Sequence, residues 1–268
     1  MRIVGIKRKG IDLDKSTKPC KETDQTVLRK PWTLPPCGQG GRKIQLPYIN
    51  KFKTIWEYKE AFFSHPIDFV AYIGPKCPIC GDCDCYQEID PYWRYAIDLF
   101  PEFRKEQVPI ARFLCQKHKS TFSLLPIQLI PYVQYTVSAV IGVLLLGLSC
   151  WQMGQVGFYG AAAALDSSDE TRTSDAKVTG WLVLCWLMVM VRGLRRGHAE
   201  LMRLYDLSRT QTSETNLPWQ EFSDYFAAFG ITSRKTCKPN LHILLFRYSQ
   251  RTQLFLFGTP SQYRSGRA

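Results

Sequence analysis

The pattern of apolar and polar positions changes several times along the chain. Residues 1–47 combine charges with a run rich in Pro and Gly and follow neither a helical nor a strand period, which predicts an arm or linker. Aromatic and apolar residues recur at helical spacing over 48–70, ahead of a strand-like run at 69–73. The pattern then predicts a helix over 92–100 and a strand over 108–114 that leads into Cys115.

The second half of the chain is more apolar. Residues 120–165 contain no Asp, Glu, Lys or Arg, and within them 135–150 is predicted to form an apolar helix. A second long helix is expected from an N-cap at Thr179 to about residue 207. Near the C-terminus, 242–248 and 253–257 have the pattern of two short strands joined by a polar turn.

The cysteine spacing predicts a structural zinc site. Cys77 and Cys80 form a Cys-x-x-Cys turn, and Cys115 and His118 repeat the two-residue gap after a predicted strand. A zinc ion in a structural site takes four such ligands in a tetrahedron, and two short turns supply them in pairs. The 34 residues between the turns exceed the spacing of a compact ribbon, so a zinc ribbon with a helical insert is expected.

Two alternatives to this ligand set remain open. One is a local site made by four nearby thiols: Cys77, Cys80, Cys83 and Cys85. The other is redox chemistry at Cys77 and Cys80, which the acidic residues that follow them disfavour because a nearby negative charge raises a thiol pKa.

The residues around this site resemble a known family. Three motifs carry the resemblance: Cys77-Pro-Ile-Cys80, Arg-Phe-Leu-Cys-Gln-Lys-His-Lys-Ser-Thr-Phe-Ser-Leu-Leu-Pro at 112–126, and Ile-Pro-Tyr at 130–132. They are similar to the zinc-ribbon module of bacterial insertion-element transposases. In particular, they resemble an uncharacterised family of transposase-associated proteins over roughly residues 70–205. The resemblance implies a ribbon followed by a helix-turn-helix. His118 stands where most such modules have a cysteine.

Charge indicates the class of partner. The net charge is +12, and residues 1–60 contribute 14 − 6 = +8 of it from fourteen Lys or Arg and six Asp or Glu. On the second long helix, four arginines fall within one arc opposite an apolar face: Arg192, Arg195, Arg196 and Arg203. Such a basic stripe is typical of a helix that contacts DNA phosphates, although a solvated face has the same pattern.

A membrane segment is the rival interpretation of the uncharged stretch. Residues 133–153 are uncharged and flanked by aromatic residues, as a membrane span is, but the strictly apolar part is shorter than the roughly 20 residues that a span needs. Nothing at the N-terminus has the pattern of a signal peptide, so the cytoplasm is the expected compartment and the inner membrane its alternative.

The sequence therefore predicts an α+β protein that is not an enzyme. The expected divisions are a basic arm (1–47), a zinc-ribbon domain with a helical insert (48–132), a helix-turn-helix-like helical domain (133–230) and a C-terminal β element (231–268). The predicted function is zinc-dependent binding of double-stranded DNA, in association with a mobile element and a transposase or recombinase. The alternative is a small membrane-associated protein with a cytoplasmic ribbon.

Overall fold

A computed structural model describes residues 48–166, 176–206, 217–252 and 254–257. Its strands form one sheet in the order β1-β4-β3-β2. The strands are β1 (Tyr48–Ile49), β2 (Tyr86–Asp98), β3 (Arg104–Cys115) and β4 (Ser120–Pro126). β2, β3 and β4 are antiparallel neighbours, whereas the two-residue β1 pairs in parallel with β4.

The sheet carries a helix on its central strand. α1 (Ile55–Ser64) begins at Thr54, whose hydroxyl accepts a hydrogen bond from the Glu57 amide, while the Glu57 carboxylate accepts one from the Lys53 amide. This reciprocal arrangement satisfies amides that a helix start would otherwise leave unpaired. Buried Tyr58 anchors α1 by donating a hydrogen bond to the Pro109 carbonyl of β3 (2.9 Å). A four-residue helix, α2 (Val70–Ile73), follows.

The remaining helices pack around one another. They are α3 (Val137–Gln152), α4 (Gly157–Asp166), α5 (Gly180–Tyr205), α6 (Pro218–Ala228) and α7 (Arg234–Thr252). Thr136 caps α3 and Thr179 caps α5, each through its hydroxyl. Between α6 and α7 the chain turns at Gly230, whose φ of 69° favours glycine.

The buried side chains form two hydrophobic clusters. One joins α1 to the sheet and includes Tyr58, Ile110 and Phe113. The larger one joins the helices and includes Trp186 and Phe222. The Arg94 guanidinium of β2 crosses between them and donates hydrogen bonds to the carbonyls at 130 and 133.

Several predictions of local structure are confirmed. The fold is a mixed α+β one, β3 leads into Cys115 as expected, and α3 and α5 lie where the apolar pattern predicted helices. The basic arm at 1–47 lies outside the described residues.

Other predictions of local structure are wrong. Residues 92–100 lie mostly in β2, so the insert between the predicted knuckles is a β-hairpin and not a helix. The predicted C-terminal strand over 242–248 lies inside helix α7, because Leu241, Leu244, Leu245 and Tyr248 bury one helical face. The strand-like run at 69–73 contains the short helix α2, closed by Gly74 at a φ of 79°.

Among the described residues, no single helix combines the length and the hydropathy that crossing a membrane requires. In the described part of the chain, α3 and α4 taken together, bent by 118° at their junction, pass such a test on length and composition alone.

Candidate metal centre

The first two thiols are held in a tight hairpin turn. The Gly81 amide donates to the Cys77 carbonyl (2.8 Å), and the Cys77 amide donates to the Asp82 carbonyl (2.9 Å). Gly81 has a φ of 81°, which closes the turn at a conformation that other residues seldom adopt. The Asp82 amide also points at the Cys80 sulfur, 3.5 Å away. The turn therefore presents Cys77 and Cys80 together.

The β2–β3 hairpin brings two further thiols to the same place. Cys115 is the last residue of β3, and its register partner on β2 is Tyr86, which directly follows Cys85. The Gln116 amide extends the pairing by donating to the Cys85 carbonyl (2.7 Å). As a result, the Sγ atoms of Cys85 and Cys115 lie 3.8 Å apart.

The four thiols form one compact group. The Sγ atoms of Cys77, Cys80, Cys85 and Cys115 all lie within 4.8 Å of one another. Metal–sulfur bonds of about 2.3 Å in a tetrahedron place the sulfurs about 3.8 Å apart, so the group has nearly the size of a four-thiolate site. The Cys80 and Cys85 sulfurs, 2.8 Å apart, would have to separate to bind a metal in this geometry. These four cysteines can hold a metal ion.

The surroundings tune the individual thiols. Burial raises the pKa of the Cys77 thiol, and a hydrogen bond with Cys80 together with burial raises that of Cys85. For Cys115 burial acts in the same direction, but the His118 backbone N–H and the neighbouring thiols outweigh it and lower its pKa. These surroundings therefore favour the thiolate form of Cys115.

An ion pair joins the two turns beside the thiols. Lys117, in the β3–β4 turn, contacts the Asp82 carboxylate at 2.7 Å. This contact raises the pKa of Lys117 and lowers that of Asp82. The ion pair carries no net charge, and it links the turn after Cys80 to the turn after Cys115.

The structure brings together three of the four predicted ligands. Cys77, Cys80 and Cys115 belong to the group, whereas the His118 side chain is exposed in the β3–β4 turn and lies outside it. Cys85 occupies the fourth position because β2 begins directly after it. The local four-cysteine alternative included Cys83, which is exposed and also lies outside the group.

The predicted DNA-contacting arginines of α5 have different surroundings. Arg195 contacts the largely buried Glu221 carboxylate of α6 through Nη2 at 2.6 Å and through Nε at 2.9 Å. Arg203 pairs with Glu200 at 3.0 Å. Arg192 and Arg196 are exposed. Arg195 thus holds α5 against α6.

Two cations of α7 that the sequence pattern did not indicate lie near residues of α5. Arg251 of α7 contacts Glu200, the same carboxylate that Arg203 contacts, at 2.6 Å. Burial raises the pKa of Tyr205 on α5, and the charge of nearby Arg247 on α7 offsets part of that effect. The sequence pattern predicted a strand at Arg247 and a turn at Arg251, and neither prediction places these residues beside α5.

Compared with known proteins, the chain matches no family model, no curated protein and no solved structure.

Proposed function

We propose that the protein is a zinc-stabilised DNA-binding protein. The observation that carries the metal part is the group of four thiols, three of which are less than a tenth exposed. Thiolate ligands favour zinc among the abundant divalent ions, and a set of four leaves no coordination position open for a substrate. The zinc would therefore stabilise the fold and take no part in a reaction.

The DNA-binding part rests on an exposed surface shared by two helices. We call it the α5–α7 basic surface, and it consists of Arg192, Arg196, Arg203, Arg247 and Arg251. Glu200 is the carboxylate that contacts Arg203 and Arg251 within it. Five exposed guanidinium groups on two neighbouring helices supply contacts for phosphates, and α7 itself contains no acidic residue. Arg195 is not included, because two of its nitrogens bind the largely buried Glu221 carboxylate and hold α5 against α6.

A salt titration of duplex binding tests this surface. If Arg192 and Arg247 each contact a phosphate, the double variant Arg192→Ala/Arg247→Ala lowers the slope of log affinity against log salt by about 1.8. The matched control is Lys119→Ala/Lys177→Ala, which removes the same charge at exposed positions outside the surface. A slope that falls equally in both variants, or in neither, contradicts the proposal.

The link to a mobile element is supported by the resemblance of the motifs at 77–80 and 112–132 to transposase-associated zinc ribbons. On that basis, a transposase or recombinase is the proposed protein partner. Tighter binding to duplexes taken from the ends of an insertion element than to random duplexes of equal length supports the link. Equal affinity for both contradicts it.

One observation favours a second candidate function, contact with a membrane surface. Where α3, α4 and α5 meet, four large apolar side chains each expose more than half of their surface: Met153, Val156, Tyr159 and Trp181. Exposed Trp and Tyr are typical of residues at a lipid–water interface. A blue shift of Trp181 fluorescence with vesicles of acidic lipid, absent in Trp181→Phe, distinguishes this candidate from duplex binding.

A further inference from the structure

The β2–β3 hairpin exposes two large aromatic side chains on one of its faces. After a bulge in its first half, β2 pairs regularly with β3, and Tyr95 lies opposite Gln107. Successive residues of a strand point to opposite faces, so Trp93 and Tyr95 share one face of the hairpin. Trp93 is 51% exposed and Tyr95 is 41% exposed. Two rings on an edge strand are thus open to a partner.

The residue between these two rings fixes which face they occupy. Arg94 is directed to the opposite side, where its guanidinium donates hydrogen bonds to the carbonyls at 130 and 133. A shift of the strand by one residue would exchange its two faces. The contacts of Arg94 therefore hold Trp93 and Tyr95 on the outer side of the hairpin.

Helix α1 adds a third ring to this face. Phe63, which is 60% exposed, lies against Trp93 with the ring centroids 5.9 Å apart and an angle of 18° between the ring planes. One side of the Trp93 ring is thus covered by a nearly parallel ring, and half of the residue stays exposed. A further flat ring can extend such a stack. Neighbouring exposed apolar side chains of this kind are typical of a binding site.

Two polar side chains of β3 complete the face. The Lys105 ammonium lies over the Tyr95 ring, 5.0 Å from its centroid. Gln107, the register partner of Tyr95, is exposed. The described hairpin has no carboxylate at the positions of this face between 93 and 97 or between 105 and 109. We call the set the aromatic hairpin surface, and it consists of Phe63, Trp93, Tyr95, Lys105 and Gln107.

The side chains of this surface favour nucleobases over other partners. Its three large apolar residues are all flat rings, whereas the patch where α3, α4 and α5 meet also contains aliphatic Met153 and Val156. Bases stack on aromatic rings, an ammonium contacts phosphate, and a Gln amide offers both a donor and an acceptor to a base edge. In a duplex, neighbouring base pairs already cover the base faces. The surface therefore suits an unpaired strand.

We propose that the aromatic hairpin surface binds single-stranded DNA. Unpaired bases stack on Trp93 and Tyr95, Lys105 contacts a phosphate, and Gln107 hydrogen-bonds a base edge. The two ring positions are about 7 Å apart along β2, and sheets that bind single strands stack two or three bases on rings placed in this way. The choice of DNA over RNA rests on the proposed function, whereas the stacking is independent of it and of the α5–α7 basic surface.

Fluorescence anisotropy with a labelled oligothymidylate of about 12 nucleotides tests the proposal. The full chain should bind it with saturation, and Trp93→Ala and Tyr95→Ala should each weaken binding about tenfold because each removes one stacked base. Trp93→Phe keeps a ring and should recover most of the affinity. Trp181→Ala, which removes an exposed tryptophan outside the surface, is the matched control. Absence of saturable binding, or unchanged affinity in both alanine variants at the hairpin, overturns the proposal.

Charge variants test whether the occupant is a polyanion. Lys105→Ala should lower the slope of log affinity against log salt by about 0.7, the value for one phosphate of a single strand. Two exposed carboxylates lie near the surface in sequence, Glu60 one turn before Phe63 and Asp90 before Trp93. Glu60→Gln and Asp90→Asn should leave the affinity equal or increase it. An unchanged slope in Lys105→Ala, or weaker binding after loss of a carboxylate, contradicts the proposal.

The two DNA-binding surfaces can be distinguished by their ligands. Arg192→Ala/Arg247→Ala should weaken duplex binding and leave the oligothymidylate bound, whereas Trp93→Ala should weaken only the binding of the single strand. Equal loss of the single strand and the duplex in the arginine variant would assign both to the α5–α7 basic surface, which overturns this proposal and leaves the proposed function standing. Tighter binding of an oligouridylate of equal length overturns the choice of DNA.

Discussion

The spacing predicted His118 as the fourth ligand, whereas the structure places Cys85 in that position. Single substitutions at the two residues distinguish these ligand sets. Because the Cys85 sulfur lies within the thiol group, Cys85→Ser should lower the zinc content well below one per chain and destabilise the fold. His118→Ala should retain the metal, because His118 contributes only its backbone N–H to the group. Elemental analysis of the purified variants measures both.

Cys83→Ser is the matched control for this prediction, since it removes an exposed thiol two residues from Cys85. It should bind zinc as the wild type does. Loss of zinc in His118→Ala with retention in Cys85→Ser would restore the ligand set that the spacing predicted.

The outcome for His118 and Cys85 shows which metal ligands the sequence spacing of cysteines can identify. Spacing identifies Cys77 and Cys80 because a two-residue gap fixes both thiols in one turn, whatever the rest of the chain does. The fourth ligand depends instead on which strand pairs with β3 and in what register. Tyr86 is paired with Cys115 only because residues 86–98 form β2, whereas the pattern predicted a helix over 92–100.

At the scale of helices, the contact between Arg195 and Glu221 links α5 to α6. Arg195→Ala leaves the Glu221 carboxylate without this partner, and the Glu221 side chain is only 10% exposed. We expect the free energy of unfolding to fall by about 1–2 kcal/mol, in the lower part of the range for charged hydrogen bonds because Arg195 is half exposed. Urea unfolding measures the change.

Arg192→Ala is the control, because it removes the same charge from an exposed position one turn earlier on α5. Its stability should change by less than about 0.5 kcal/mol. Equal destabilisation in the two variants would show that the loss comes from charge or helix propensity and not from the contact with α6.

The close approach of α3 and α4 depends on two glycines. A Cβ on Gly157 would lie 2.7 Å from the Gly147 carbonyl oxygen and 2.9 Å from the Trp219 ring of α6. A backbone oxygen cannot rotate away as a side chain can, so Gly157→Ala has to push the helices apart. We expect a loss of about 1–3 kcal/mol in urea unfolding. Ala163→Ser, at an exposed position of α4, should have almost no effect.

Helices were predicted correctly where a local sequence signal, such as an N-cap, marks them. They were missed where contacts with residues distant in sequence decide between helix and strand. Thr179 caps α5 through its hydroxyl, an interaction within four residues that the sequence alone predicts. By contrast, the apolar residues of 241–248 suit either a strand or one face of a helix. The helix exists because that face packs on α3 and α5, which no local pattern contains.

At the scale of the whole molecule, the thiol group belongs to one of the two hydrophobic clusters. Cys77, Cys80 and Cys115 are buried in the cluster of α1 and the sheet, and none of them contributes to the cluster of the helices. The connections between the clusters, such as Asp98 with Lys238 and Arg94 with the carbonyls at 130 and 133, do not involve the thiols. The metal should therefore stabilise the two clusters unequally.

Amide hydrogen exchange, measured before and after a strong chelator removes the metal, tests whether the metal stabilises the two clusters unequally. The amides of Cys77, Gly81 and Gln116 donate the hydrogen bonds that hold the thiol-bearing turns, and they should exchange at least about tenfold faster without metal. Amides in the middle of α3 and α5 should keep their protection, because the cluster around Trp186 and Phe222 stays packed. Equal loss of protection in both regions would mean that the chain unfolds as one cooperative unit, and unchanged exchange at Gly81 and Gln116 would mean that the thiols hold no structural metal.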